Sequence, residues 1–256
     1  MIDPTVHLER LPHCAMGEPS YGFLVADHLN RYQFCRQFVK GKIVLDAGCG
    51  IGYGACLLAE AGARWVDAID ISSEAIAMAH EYYEHPHVHF IAQDVLSFSA
   101  TDKYEVITSF ETIEHLADTE KYLSIMRNAL KPDGLFFVST PSRTVSNSKA
   151  TRFDKPRNPY HRVEWTRDEF VDLLSGYFKV EEVYGQRPYY YKCTRIRTLQ
   201  SVFVSKRLRA VLRLPEANYA KLSVVRRIHC YHEPVFLIAQ CRKNLDQTFL
   251  PQAVSQ

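Results

Sequence analysis

Residues 43–52, Ile43-Val44-Leu45-Asp46-Ala47-Gly48-Cys49-Gly50-Ile51-Gly52, decide how the whole chain is read. A short apolar run broken by glycine is a buried strand. The next segment, YGACLLAEAGA at 53–63, is helical and stops at Gly62. Strand, glycine loop and helix in that order make a cradle for a ligand. Glycines let a bound group approach the backbone, and the helix N-terminus offers free N–H donors. A dinucleotide fingerprint counted from Gly48 needs its third glycine at 53, where Tyr53 stands. The spacing is GxGxG instead, with Asp46 two residues ahead of the first glycine.

Working outward, RWVDAID is a second strand ending at Asp70, placed to accept hydrogen bonds from two ribose hydroxyls. Ser72 and Ser73 can cap the helix EAIAMAHEYYE, and HVHFIAQD is a third strand ending at Asp94, where an adenine amino group could be met. YEVITSF is a fourth strand. Asp118 can cap a helix that runs to Leu130, and after the turn KPDG the fifth strand is GLFFVST. Thr166 with Glu169 forms a capping box for a helix to Gly176. YFKVEEVYG and EPVFLIAQCRK complete the strands. Strands alternating with helices predict an α/β fold: a Rossmann-like, seven-stranded, mostly parallel sheet with helices on both faces. The chain reads as one domain. It has a helical cap at 1–40, a core at 41–184, an insertion at 185–232, the last strand at 233–243 and a tail at 244–256.

With 256 residues, 46% of them apolar, one core is affordable, and a net charge of +2 gives no global field toward nucleic acid or membrane. Seven scattered cysteines without a CxxC argue against a disulfide framework and fit a reducing cytoplasm. The first residues lack the apolar centre of a signal peptide, and no run approaches the roughly 18 to 20 apolar residues of a spanning helix. A cytoplasmic protein with no transmembrane segment is expected.

The trio of glycine loop, Asp70 and Asp94 resembles the class I S-adenosylmethionine-dependent methyltransferases over roughly residues 41–184 plus the last strand. The resemblance implies S-adenosyl-L-methionine as cofactor. Gly48, Cys49 and Gly50 would line its methionine part, with Asp46 and Gly52 counted in the same loop. Asp70 and Ile71 would hold the ribose, Asp94 and Val95 the adenine, and Phe110 would flank it. It also implies an antiparallel last strand. Tyr21 and Arg31, on the N-terminal helices, would close over cofactor or substrate.

The stretch Ser109-Phe110-Glu111-Thr112-Ile113-Glu114-His115-Leu116 follows the fourth strand at the edge where α/β sheets bind ligands. If a helical turn starts at Glu111, then Glu111, Glu114 and His115 share a face. Two carboxylates so placed need compensation, which a divalent cation gives to both at once. Downstream, NPYHRVEWTRDEF brings His161 to the same edge. ExxEH followed by HxxEWTRxxF resembles the small-RNA 3′-terminal ribose 2′-O-methyltransferases. That likeness implies Glu111, Glu114, His115 and His161 as ligands of a cation, magnesium or manganese, gripping vicinal hydroxyls. ExxEH alone is also similar to the ubiquinone-pathway O-methyltransferases, which act on catechols. HLNRY, SFETIEHL, STPSR, NPYH and GQR together resemble bacterial methyltransferases of sugar and polysaccharide synthesis. NPYH departs from the RNA enzymes, which favours a small-molecule or carbohydrate-like acceptor over nucleic acid.

For O-methylation, a cation would acidify the acceptor hydroxyl, and Glu111, His115 or His161 could take its proton. Without a metal, a glutamate would cap the turn and His115 would act alone. Residues 185–215 contain no acidic side chain and carry Arg187, Lys192, Arg195 and further basic and tyrosine residues. This belt suits phosphate recognition or a helical lid, and a non-catalytic binding module is the reading from another class. His85, His87 and His89 read as surface histidines.

Overall fold

Each strand of the sheet presents alternate side chains to two separate cores. On β1 (Ile43–Ala47), Leu45 and Ala47 enter one core and Val44 the other; on β5 (Leu130–Pro141), Phe136 and Val138 oppose Leu135 and Phe137. This is the computed structural model of the chain, and it describes residues 22–151, 153–189, 225–227 and 233–243.

The remaining strands are β2 (Trp65–Asp70), β3 (Val88–Ala92), β4 (Tyr104–Phe110), β6 (Phe178–Tyr189), β7 (Arg226–Arg227) and β8 (Glu233–Lys243). Their order is β3-β2-β1-β4-β5-β8-β6-β7. β1 to β5 pair in parallel, and β8 runs antiparallel between β5 and β6. The seven expected strands are therefore joined by a two-residue eighth, β7, antiparallel to β6. Three strand boundaries differ most from expectation. β5 starts at Leu130, directly after α4, so the predicted turn KPDG lies inside the strand. β3 stops at Ala92, so Asp94 lies two residues beyond it. β6 runs past Gly185 to Tyr189, because pairing with β8 continues through Gln186 opposite Phe236 to Tyr189 opposite Glu233.

Helices α1 (Gly22–Cys35), α2 (Tyr53–Glu60) and α3 (Ser73–Tyr82) cover one face; α4 (Thr119–Ala129) and α6 (Arg167–Ser175) cover the other. On α4, Tyr122, Leu123, Met126 and Ala129 form the buried stripe that a 3.6-residue period requires. The expected caps are in place: Ala75 N–H donates to Ser72 Oγ at 3.2 Å, Lys121 N–H donates to Asp118 at 2.9 Å, and Thr166 with Glu169 makes a reciprocal box. Among the described residues no helix is long and apolar enough to cross a membrane.

The neighbours of β1 are β2 on one side and β4 on the other, so the chain leaves these strands in opposite directions. A crevice opens at such a switch point, beyond the carboxyl ends of the strands. The glycine loop after β1 and the stretch 109–116 after β4 form its two walls. Helix α1 is tied across it. Arg31 Nε donates to Gln186 Oε1 at 2.7 Å, and Arg187 pairs with the fully buried Asp27 at 2.7 Å. Of the basic belt, Lys192 and the residues after it up to 215 lie outside the described residues, as does Tyr21.

Candidate active site

The crevice encloses a cavity of about 340 Å³, within the size range of small-molecule sites. The wall where the cofactor residues were expected holds Gly48, Cys49, Gly50, Asp70, Ile71 and Asp94, and Val95 and Phe110 also line it. Asp70 braces the glycine loop: Gly50 N–H donates to Oδ2 and Ser72 N–H to Oδ1, each at 2.9 Å. Two glycines are required here. A Cβ on Gly48 (φ +82°) would stand 2.3 Å from Thr112 Oγ1, so that residue lets the two walls touch. A Cβ on Gly50 (φ +55°) would meet nothing within 4 Å, which leaves bare backbone facing open space. Ile71 is 67% exposed, an apolar surface beside Asp70. Backbone without side chains, a braced carboxylate and an apolar ledge fit a nucleoside-bearing cofactor.

Two predicted loop residues lie elsewhere. Gly52 faces Phe90, 2.5 Å from where its Cβ would be. Asp46 is fully buried under the cavity, where the Tyr32 hydroxyl donates to both of its oxygens at 3.1 Å and the Thr108 hydroxyl donates at 2.8 Å. It positions Tyr32, which lines the cavity from α1 and meets Phe110 edge-on at 5.0 Å. Burial raises the Asp46 carboxyl to about 7, against hydrogen bonds from Thr108 and Tyr32 that lower it. The folded protein thus holds a proton that the unfolded chain has released above about pH 4. Stability from this group is complete below pH 4 and is lost as pH rises toward 7, up to about 4 kcal/mol. Asp46→Asn should remove that part of the slope, read as the difference between mutant and wild-type urea midpoints from pH 4 to 8.

The α1 wall was missed from sequence; Arg31, expected to close over the site, does not line the cavity but is buried against Glu111, 3.4 Å from its Oε1. His28 and Tyr32 stand one turn apart on the helix and both line the cavity. Burial, then the Arg31 charge, hold the His28 imidazole well below its usual range, so it is neutral. The i, i+4 pair inside HLNRY was a readable signal. Tyr160 contributes a backbone carbonyl, which no side-chain pattern announces.

The stretch after β4 does not begin a helix at Glu111. Glu111 has φ of 52°, in the left-handed region, and the helical turn starts only at Ile113. The chain therefore bends before the turn, and Glu111 separates from Glu114 and His115. Its Oε1 accepts from Ser139 Oγ at 2.7 Å and lies 3.4 Å from Arg31 Nη1. It lines the cavity beside His115. Glu114, His115 and His161 do come together, each offering one ligand atom, all within 4.8 Å of one another. Glu111 is outside this group, and neither Glu114 nor His161 lines the cavity.

The convergence is built by backbone. Arg162 N–H and Val163 N–H donate to the Glu114 carbonyl at 2.8 and 3.4 Å, stitching the loop at 158–165 to the turn after β4. The His115 ring meets the His161 ring edge-on at 4.9 Å. His115 Nδ1 sits 3.0 Å from the Tyr160 carbonyl oxygen, which can only accept. That nitrogen carries the proton, so the lone pair is on Nε2. Glu114 is fully buried, and among the described residues neither carboxylate oxygen has a hydrogen-bond partner. Burial, then the Glu111 charge, push its carboxyl well above the ordinary range. His85, His87 and His89 make no ligand group among the described residues.

Comparison with known proteins follows the same lines. A family model described as a methyltransferase domain matches residues 24–210. A "Probable S-adenosylmethionine-dependent methyltransferase" of Mycolicibacterium smegmatis is 34% identical over 66% of this chain and 64% of its own length. A ubiquinone biosynthesis O-methyltransferase of Glaesserella parasuis is 34% identical over 41% of this chain and 48% of its own. This chain thus spans about half to two thirds of the curated relatives it matches. Among solved structures, the N-methyltransferase NodS of Bradyrhizobium japonicum, in complex with S-adenosylhomocysteine, superposes with a TM-score of 0.59 at 16% identity, covering 93% of this chain and 97% of that one. At that identity the likeness speaks for the fold.

Proposed function

The chain belongs to the methyltransferase-domain family, and from that premise we propose that it is an S-adenosylmethionine-dependent O-methyltransferase. Its acceptor is a small or carbohydrate-like molecule with vicinal hydroxyls, gripped through a divalent cation such as magnesium or manganese. The observation that carries the cation is Glu114. A buried carboxylate with no hydrogen bond is costly unless something positive meets it. Two imidazole groups stand within 4.8 Å of it. Mixed carboxylate and imidazole donors suit such ions. Glu114, His115 and His161 would hold the ion. Its charge would acidify a nearby hydroxyl and fix which oxygen faces the donor.

The cofactor supplies an electrophilic methyl group on sulfur. The protein supplies alignment and a proton acceptor. Asp70 would accept hydrogen bonds from the ribose hydroxyls, the bare backbone at Gly50 would admit the methionine part, and Asp94 and Val95 would border the adenine. Tyr32 and His28 close the cavity from α1 and keep water out. Glu111, separate from the donor group yet on the cavity wall, takes the acceptor proton. Its Arg31 and Ser139 contacts fix its orientation.

Incubation with methyl-labelled cofactor and a panel of catechols, diol-bearing sugars and RNA oligonucleotides tests this. Label is expected on a small diol, lost after exhaustive chelation and restored by magnesium or manganese. Full activity after chelation, or transfer confined to RNA, overturns the reading.

A further inference from the structure

From the contacts of one buried carboxylate, we infer that Glu164 is the positioning residue that makes His161 a cation ligand. The inference rests on the reading of Glu114, His115 and His161 as the cation group. Glu164 is 3% exposed, and its Oε1 lies 2.7 Å from His161 Nδ1. The Asn158 side-chain N–H can only donate to the opposite ring nitrogen, Nε2, so Glu164 Oε1 faces the nitrogen that donates. His161 Nδ1 must then carry a proton. The lone pair is placed on Nε2, where the Asn158 amide donates at 2.9 Å. That lone pair, which Asn158 now engages, is the one His161 would offer a cation.

A histidine without a partner on Nδ1 favours the opposite tautomer, which leaves Nε2 protonated and useless as a ligand. Carboxylate contact on the far nitrogen also raises the basicity of the ligating one, and loss of such a partner typically costs 10- to 100-fold in metal affinity.

Glu164 is held independently of His161, which a positioning role requires. Ser146 Oγ–H donates to its second oxygen. Arg143 Nη1 donates to its carbonyl at 3.1 Å, and Arg143 Nη2 pairs at 2.6 Å with Glu169 of the box that starts α6. Arg143 N–H also donates to the Trp165 carbonyl at 2.8 Å. The short helix α5 (Arg143–Ser146) thus holds the Glu164 carboxylate through Ser146 and its backbone through Arg143, which Glu169 of α6 anchors in turn.

The test titrates Mn²⁺ alone into the full chain and reads the His161 tautomer from imidazole ¹⁵N shifts. Wild type should bind the ion and show protonated Nδ1. Glu164→Ala should lower Mn²⁺ affinity by about 10- to 100-fold and move the proton to Nε2. Glu164→Gln keeps the shape and one accepting oxygen, so it should retain the tautomer and lose about 3- to 10-fold through the missing charge alone. If the alanine variant does not fold, the glutamine variant decides. Affinities within about twofold of wild type, with an unchanged tautomer, overturn the role of Glu164 alone. No Mn²⁺ binding to wild type overturns the cation reading beneath it.

Discussion

Asp70→Ala is expected to weaken S-adenosylhomocysteine binding by at least about 100-fold. Two charge-assisted hydrogen bonds to ribose hydroxyls, each of about 1.5–3 kcal/mol, would be lost together. At 1.4 kcal/mol per decade this is two to four decades in Kd. The substitution also frees Gly50 N–H and Ser72 N–H, which Asp70 accepts at 2.9 Å, so the loop loses its brace as well. Asp70→Asn keeps one accepting oxygen and should fall between. Calorimetry with S-adenosylhomocysteine decides. Affinity within about threefold of wild type would mean that the cofactor is held elsewhere.

Glu114→Gln is expected to separate stability from activity. The wild-type carboxyl is raised far above its unfolded value by burial and by Glu111. Stability from this group is present below about pH 4 and drains away as pH rises toward the folded value. Glutamine has the same shape and no proton to lose, so without added cation the variant should melt at or above the wild-type temperature, with an advantage that grows with pH. Turnover should nevertheless drop by about 100-fold or more, since loss of a cation removes several kcal/mol of charge stabilisation at 1.36 kcal/mol per decade. S-adenosylhomocysteine affinity should hardly change. Equal turnover, or a melting temperature that falls as pH rises relative to wild type, contradicts this.

The sheet was legible because it follows from local patterns. Apolar runs bounded by glycine, and caps at Ser72, Asp118 and Thr166, leave little choice of element. The strand ends were less so, since the extension of β6 depends on which partner β8 offers it. The crevice was legible through the glycine loop and Asp70. The three-donor group was legible in composition but not in geometry. Spacing put Glu111 on the face of Glu114 and His115 by assuming helical dihedrals, whereas a single residue at positive φ carries it to Ser139 and Arg31. Asp46 was expected at the cofactor because it precedes the loop. The pleat instead turns it under the cavity toward Tyr32. The pinning of His115 by the Tyr160 carbonyl, and of the 158–165 loop by the Glu114 carbonyl, rests on backbone groups that every residue has. No reading of side chains could reach them.

The central claim is that one crevice holds the donor sulfur and that His115, on its wall, brings a cation held with Glu114 and His161 behind it to the same acceptor. A crystal structure with S-adenosylhomocysteine and manganese tests it most directly. The account predicts the sulfur between Gly48 and His115, the ribose on Asp70, and ion density bridging Glu114, His115 and His161. Ligand density away from the glycine loop, or manganese absent from that group at full cofactor occupancy, would contradict it.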